Sequence, residues 1–201
     1  MVQALPDGRF VVRVPGGSEL PPLSAADTEA LAESIQTALV EAASSRPNGP
    51  SWSPGQAAGP PDTEAHADQP TAWASTQADG GIEWLELTYK QAVDIREINI
   101  HESFNPGALA RVLAIQPDGS PKTLWEGTTP ADGEMIERSL PIPPGTRANT
   151  VRLELDTSRV PGWNEIDAVE LVGADGSRQW AAEARASSYY GGNSRRKRGD
   201  R

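Results

Sequence analysis

The sequence predicts a mainly β protein, an antiparallel β-sandwich with a short strand-plus-helix extension ahead of it. Three observations carry that expectation. Between Ile82 and Val172 apolar residues recur at every second position in short runs, the period of a strand with one buried face. Turn chemistry such as Pro117-Asp118-Gly119 and Asp132-Gly133 punctuates the runs, with glycine at positions that need φ > 0. Finally, 19 glycines and 18 prolines in 201 residues follow no period, which suits many short strands joined by turns.

In chain order, Pro6-Asp7-Gly8 is a turn, and the run from Arg9 to Val14 reads as a strand with Phe10, Val12 and Val14 on one face. A helix is predicted over 24–43. Ser24 and Asp27 form a capping pair at its start, and Leu31, Ile35, Ala38, Leu39 and Ala42 form one apolar stripe, with Glu29, Glu33 and Glu41 off it. Such a stripe either docks on the next domain or is offered to a partner chain. Residues 44–70 carry loop chemistry, as in Arg46-Pro47-Asn48-Gly49-Pro50 and Gly59-Pro60-Pro61-Asp62.

The strand series begins after Gly80-Gly81. Ile82, Trp84, Leu85 and Leu87 lead into a first strand; Val93, Ile95, Ile98 and Ile100 mark a second, with Arg96 and Asn99 facing outward. Further strands are expected at 109–115, 123–125, 135–140, 151–155 and 166–172, with an edge strand at 178–184. The organisation is thus an extension over 1–43, a sandwich over 44–184 and a disordered basic tail over 185–201, which ends in Arg195-Arg196-Lys197-Arg198 and lacks core-forming residues at its end. Trp73 and Trp84 lie in strand contexts and are assigned to the core. Trp52 and Trp163 lie in Pro/Gly-rich loops, where an aromatic ring is either a stacking platform or an anchor for the loop.

Composition narrows the function. With 28 Asp and Glu against 18 Lys and Arg the formal net charge is −10, which repels phosphate backbones and argues against nucleic-acid binding by the body of the chain. No apolar run reaches the roughly 18 residues of a membrane span. The chain has no cysteine, so thiol nucleophiles, thiolate metal sites and disulfides are excluded. No secretory leader pattern opens the sequence, so the expectation is a cytoplasmic location unless the chain belongs to a larger exported protein.

A catalytic role finds little support. His66 and His101 are the two histidines, and neither a Gly-x-Ser-x-Gly elbow nor a His-Glu-x-x-His motif is present. His101-Glu102 reads as a loop acid beside a half-buried imidazole. Glu165 and Asp167 could pair as glycosidase carboxylates, but they read as part of the acid run of a sheet surface, with Glu165 able to hold the preceding loop through backbone N–H groups. The basic tail suits an acidic partner.

The stretch from Gly59-Pro60-Pro61-Asp62 to Thr71-Ala72-Trp73 resembles the opening of discoidin-type, galactose-binding-like domains, in which an Asp loop leads to a Thr-x-Trp element. Trp84-Leu85-Glu86-Leu87 resembles the next family strand, and Trp163 to Leu171 the closing strand of the jelly roll. The loops Phe104-Asn105-Pro106-Gly107 and Gly162-Trp163-Asn164-Glu165 are closer to a bacterial subgroup similar to the scarf-like β-sandwich module of pappalysin-type proteins. The resemblance implies a jelly-roll fold and a non-catalytic module that binds carbohydrate or protein through loops at one end, with Trp163, Asn164, Phe104, Asn105 and Trp52 as ligand residues. It also implies a structural calcium near the Asp loop, for which Asp62, Thr71 and Glu170 match the pattern, although Thr63 to Gln69 replaces the usual tight Asp-Gly turn. The alternative function is a structural or assembly component that docks other chains through helix 24–43 and the basic tail.

Overall fold

A computed structural model describes residues 2–4, 10–12, 49–131 and 133–191 of the chain, which divides into two units, Met1–Arg46 and Pro47–Arg201. In the first unit, β1 (Val2–Ala4) pairs antiparallel with β2 (Phe10–Val12), with Val2 in register with Val12. The strand expected at 9–14 is seen over Phe10–Val12, and its other residues lie outside the described ones. The helix expected over 24–43 lies outside the described residues, as does the end of the tail from 192.

Among its described residues, the regular structure of the second unit is antiparallel strand, with two single 3₁₀ turns at Pro54–Ala57 and Thr157–Arg159. Its strands are β3 (Trp73–Ala74), β4 (Ile82–Phe104), β5 (Leu109–Ile115), β6 (Pro121–Glu126), β7 (Ile136–Pro141), β8 (Arg147–Asp156), β9 (Glu165–Gly173), β10 (Arg178–Trp180) and β11 (Glu183–Ala186). None of the helices among the described residues is long and apolar enough to cross a membrane.

The strand β4 organises the unit. The sequence predicts two strands here, at 82–87 and 93–100; the structure has one strand of 23 residues with a register shift between Thr88 and Val93. Lys90, Gln91 and Ala92 are exposed at that irregularity, which lets the chain change direction without a turn. Before it, residues 82–88 sit between β8 and β11, and β8 continues to β5 and β6. After it, β4 lies between β7 and β9, and the far edge of β9 carries both β3 and β10. One strand thus belongs to both sheets. Between them lies one core, with Leu85, Leu87, Val112, Val151, Leu153 and Leu155 from the first sheet and Ile98, Ile100, Leu140, Ile166, Val169 and Leu171 from the second. Tyr89, buried beside the register shift, donates its hydroxyl to Val169 O at 3.3 Å and so ties the two sheets together.

Two tryptophan assignments part company. Trp73 has no solvent exposure and is a core residue. Trp84, expected beside it, is only half-buried. Leu85 and Leu87 take the inward positions of β4, so the alternation turns Trp84 and Glu86 to the other face. There the Arg152 guanidinium sits 4.6 Å from the Trp84 ring centroid. Glu86, 2 % exposed, accepts from Arg152 Nε and Nη2 at 3.0 and 2.6 Å and from Arg185 Nε at 2.6 Å.

Other polar positions also differ from expectation. Asn99, expected outward, is buried and donates to Glu170 Oε2 at 2.9 Å. Glu102 is no loop acid; it lies buried on β4, paired with Arg138 Nε at 2.6 Å and accepting from Gly107 N–H at 3.1 Å. The segment 185–191, placed in the tail by its neighbours' charge, is structured: Arg185 and Ala186 complete β11 against Leu85 and Glu86, and Tyr189 packs on the core.

The different settings of the two indoles set different costs. Trp73→Ala leaves a core cavity and should lower unfolding stability by about 3–5 kcal/mol. Trp84→Ala removes a half-buried ring and one cation–π contact and should cost about 1–2 kcal/mol. Urea unfolding of both variants beside the wild type measures the ranking; equal losses would contradict it.

Candidate functional site

Four chain segments converge at the end of the sandwich where β9 begins. The loop before β9 holds Gly162 at φ 94°, a conformation favouring glycine, and a Cβ there would stand 3.1 Å from Asn105 Nδ2. Asn105, itself at φ 44°, donates from Nδ2 to Trp163 O at 2.9 Å, and Asn164 Nδ2 donates back to Asn105 O at 2.7 Å. The Phe104-Asn105 and Trp163-Asn164 loops are thereby zipped together. Phe104 turns aside from them, its ring 5.5 Å from that of His66.

Trp163 is both anchor and wall. Its indole N–H donates to Ser75 O at 3.1 Å, yet the ring is half-exposed. Trp52, at φ 55°, is set by backbone bonds from its own N–H to Pro70 O and from Ala74 N–H to its carbonyl. The fourth segment follows β11. Trp73 Nε1 donates to Ser188 O, Thr76 Oγ1 to Tyr189 O, and Tyr190 N–H to Ala74 O at 3.0, 2.9 and 2.9 Å. These bonds bring Tyr190 edge-on to both Trp52 and Trp163, with centroids 5.2 and 5.5 Å apart and ring planes at 76° and 83°. Trp52, Trp163, Tyr190, Asp68 and Ala74 line a pocket of about 90 Å³.

Beneath the aromatic rings lies Glu165, with no solvent exposure. Trp52 Nε1 donates both to Glu165 Oε1 at 3.2 Å and to Asp68 Oδ1 at 3.0 Å, and Gln69 N–H donates to Glu165 Oε2 at 3.3 Å. Burial and then a hydrogen bond with the Asp68 carboxyl push Glu165 up to about 8, against the opposing pull of the Gln69 and Trp52 N–H groups. A second pair of acids lies two residues further along β9. Asp167, 2 % exposed, accepts from Thr63 Oγ1 at 2.9 Å and from the N–H groups of Asp62 and Thr63 at 3.4 and 3.3 Å. Partial burial, then the Asp167 charge and hydrogen bond, raise the Asp62 carboxyl. Glu165 and Asp167 are thus not surface acids; both are buried, and they hold the loop 62–69 onto β9.

The expected site residues divide accordingly. Trp163, Asn164 and Asn105 are brought together by hydrogen bonds; Trp163 and Trp52 line the pocket, whereas Asn105, Asn164 and Phe104 do not. Tyr190 is a site residue that the sequence reading missed, although the pair Tyr189-Tyr190 is an aromatic signal standing just ahead of the basic run; Glu165, expected to hold a loop through backbone N–H groups, does accept from Gln69 N–H, though the loop is 62–69 and not the one before β9. Thr71 reaches the Asp loop not at Asp62 but at its neighbour Thr63, whose hydroxyl is 2.7 Å from that of Thr71. Glu170 is engaged elsewhere: its carboxylate is gripped by Arg178 Nε and Nη2 at 2.7 and 2.5 Å and by Asn99. Three residues of strand, about 10 Å, separate it from Asp167. Asp62, Thr71 and Glu170 therefore do not fit a calcium ion as one cage, and among the described residues no three His, Cys, Asp or Glu side chains gather as metal ligands.

The geometry defines a class: a two-sheet antiparallel sandwich module with a hydrogen-bonded, loop-built aromatic cluster at one end. The family model described as the pappalysin-1 SD scarf domain, C-terminal, matches residues 32–184. The chain belongs to that family. The match names the scarf domain and not the discoidin or galactose-binding-like relatives. No curated protein matches the chain.

Two outcomes follow from the acids. Because Glu165 titrates near 8 when folded and near 4.5 when unfolded, the folded state holds the extra proton between those values. Its contribution to stability is complete below about pH 4.5 and is lost as pH rises to about 8, at up to about 1.4 kcal/mol per pH unit. Asp62 acts in the same sense, whereas Asp118, Asp156 and Asp175 are lowered chiefly by serine hydroxyls two residues on and act only at more acid pH. Urea unfolding across pH 5–8 should show that decline in the wild type and a flatter profile in Glu165→Gln. Separately, Glu170→Ala strands the buried Asn99 amide and should cost about 1–3 kcal/mol, equally in chelator and in millimolar calcium; a loss confined to calcium buffer would restore Glu170 as a metal ligand.

Proposed function

We propose that this scarf domain is a non-catalytic binding module that takes a protein ligand at its aromatic end. The observation that supports the reading is the half-exposed Trp52–Tyr190–Trp163 cluster around an open pocket, on loops held in place by hydrogen bonds. Tryptophan and tyrosine concentrate binding energy because they bury much area at small entropic cost, most of all when their surroundings are already rigid. The indole N–H groups are occupied within the protein, so the rings need no ligand to satisfy them, yet their faces remain partly in water. Nothing in the cluster needs to act as acid, base or nucleophile for this role.

Protein and glycan arrays probed with the wild type and with Tyr190→Ala test the reading. Tyr190 is 45 % exposed, so its truncation should leave the unfolding midpoint within about 0.5 kcal/mol of wild type while weakening protein-ligand binding by at least about tenfold. A glycan ligand with the same sensitivity would move the site to carbohydrate recognition. Ligands held equally by both proteins would remove the aromatic end as the site.

A further inference from the structure

We infer that the group this pocket receives is an organic cation, an ammonium head of the size of a lysine side chain's end or its methylated form; the inference rests on the aromatic end being the binding site. Both indole N–H groups at the pocket point into the protein, Trp52 to Asp68 and Glu165 and Trp163 to Ser75 O. What remains for a ligand is π face and carboxylate, with the Tyr190 hydroxyl as the one polar hydrogen on the lining side chains. That inventory suits a cation, which needs acceptors and negative ring faces and offers no acceptor of its own. A sugar ring, by contrast, presents hydroxyls that ask for donors as well.

The shape agrees. The rings meet at 76° and 83°, so they form walls rather than one flat platform. The volume of about 90 Å³ falls well below the roughly 300–1,000 Å³ that drug-sized ligands occupy and fits a single head group. Electrostatics agree as well. Asp68 is exposed at the rim and among the described residues is paired with no Lys or Arg. Hydrogen bonding of the Trp52 N–H to two carboxyl groups pushes electron density into its ring and deepens the negative face. A net charge of −10 draws cations toward the surface as a whole.

The test titrates the full chain with tetramethylammonium chloride and, in parallel, with neopentyl alcohol, a neutral compound with a similar quaternary carbon head. The indole ¹⁵N–¹H cross-peaks of Trp52 and Trp163 are followed, with Trp73 as the buried internal control. The expected result is a saturable shift of the Trp52 and Trp163 peaks by the cation alone, weakened about fivefold in Asp68→Asn and abolished in Tyr190→Ala. Choline and a trimethyllysine peptide then separate the two sources of such a head: tighter binding of the peptide assigns it to a protein side chain, tighter binding of choline to a free or lipid-borne ammonium. Equal shifts by the neutral compound would overturn the inference in favour of a simple apolar pocket. Absence of any cation shift, while an array ligand still binds in a Tyr190-dependent way, would overturn it and leave the binding site standing. If no array ligand depends on Tyr190 either, both fall together.

Discussion

All nine residues of β9 are buried, and three of them, Glu165, Asp167 and Glu170, are carboxylic acids. A buried carboxylate without partners is among the costliest things a fold can contain, so the surroundings of this strand are obliged to supply donors or protons. They do so in three ways. Glu170 takes a bidentate arginine with an amide beside it. Asp167 collects a hydroxyl and two backbone N–H groups from the loop at 62–63. Glu165 holds a proton more firmly than an ordinary carboxyl and shares the Trp52 N–H with Asp68. The loop that carries Asp68 and the rings above it therefore lie where they do because the closing strand needs what that loop provides.

The second organising feature is the strand that serves both sheets. Because β4 turns at Thr88–Val93 rather than stopping, its far end delivers Phe104 and Asn105 directly beside the start of β9, with Phe104 paired to Glu165. The loop after β4 and the loop before β9 then face each other, and two asparagine amides close them. Continuity of one strand through the core thus turns into precision at one end of the molecule.

Much of the sheet framework was readable from the chain. The period-two pattern located the strands of the second unit, because alternation reports which face meets the core. The join within β4 escaped notice since Lys90-Gln91-Ala92 looks like an interruption, and only the neighbouring strands show that pairing resumes without a turn. Trp84 was assigned inward from its strand context, whereas its register with Leu85 and Leu87 decides the matter. The acids of β9 were read as a solvated face because nothing local distinguishes a buried Glu165 from an exposed one; its partners Trp52 and Gln69 lie 113 and 96 residues away. Of the site, the glycine and asparagines around Trp163 gave the loop away. Tyr190 did not, being next to a basic run that dominates the composition of its window.

The family match ends at residue 184, whereas one wall of the aromatic pocket is residue 190. The shared scaffold and the aromatic pocket therefore have different borders. Six residues past the matched span bring in the tyrosine that touches both tryptophans, held by its own N–H to Ala74 O and by the Thr76 hydroxyl donating to Tyr189 O. Two proteins built on this scaffold can then agree in every strand and still differ at this pocket, according to the few residues that leave the last strand and fold back across its end. A protein engineer wishing to reshape this pocket would have a short, replaceable segment to work on, with the hydrophobic interior left untouched.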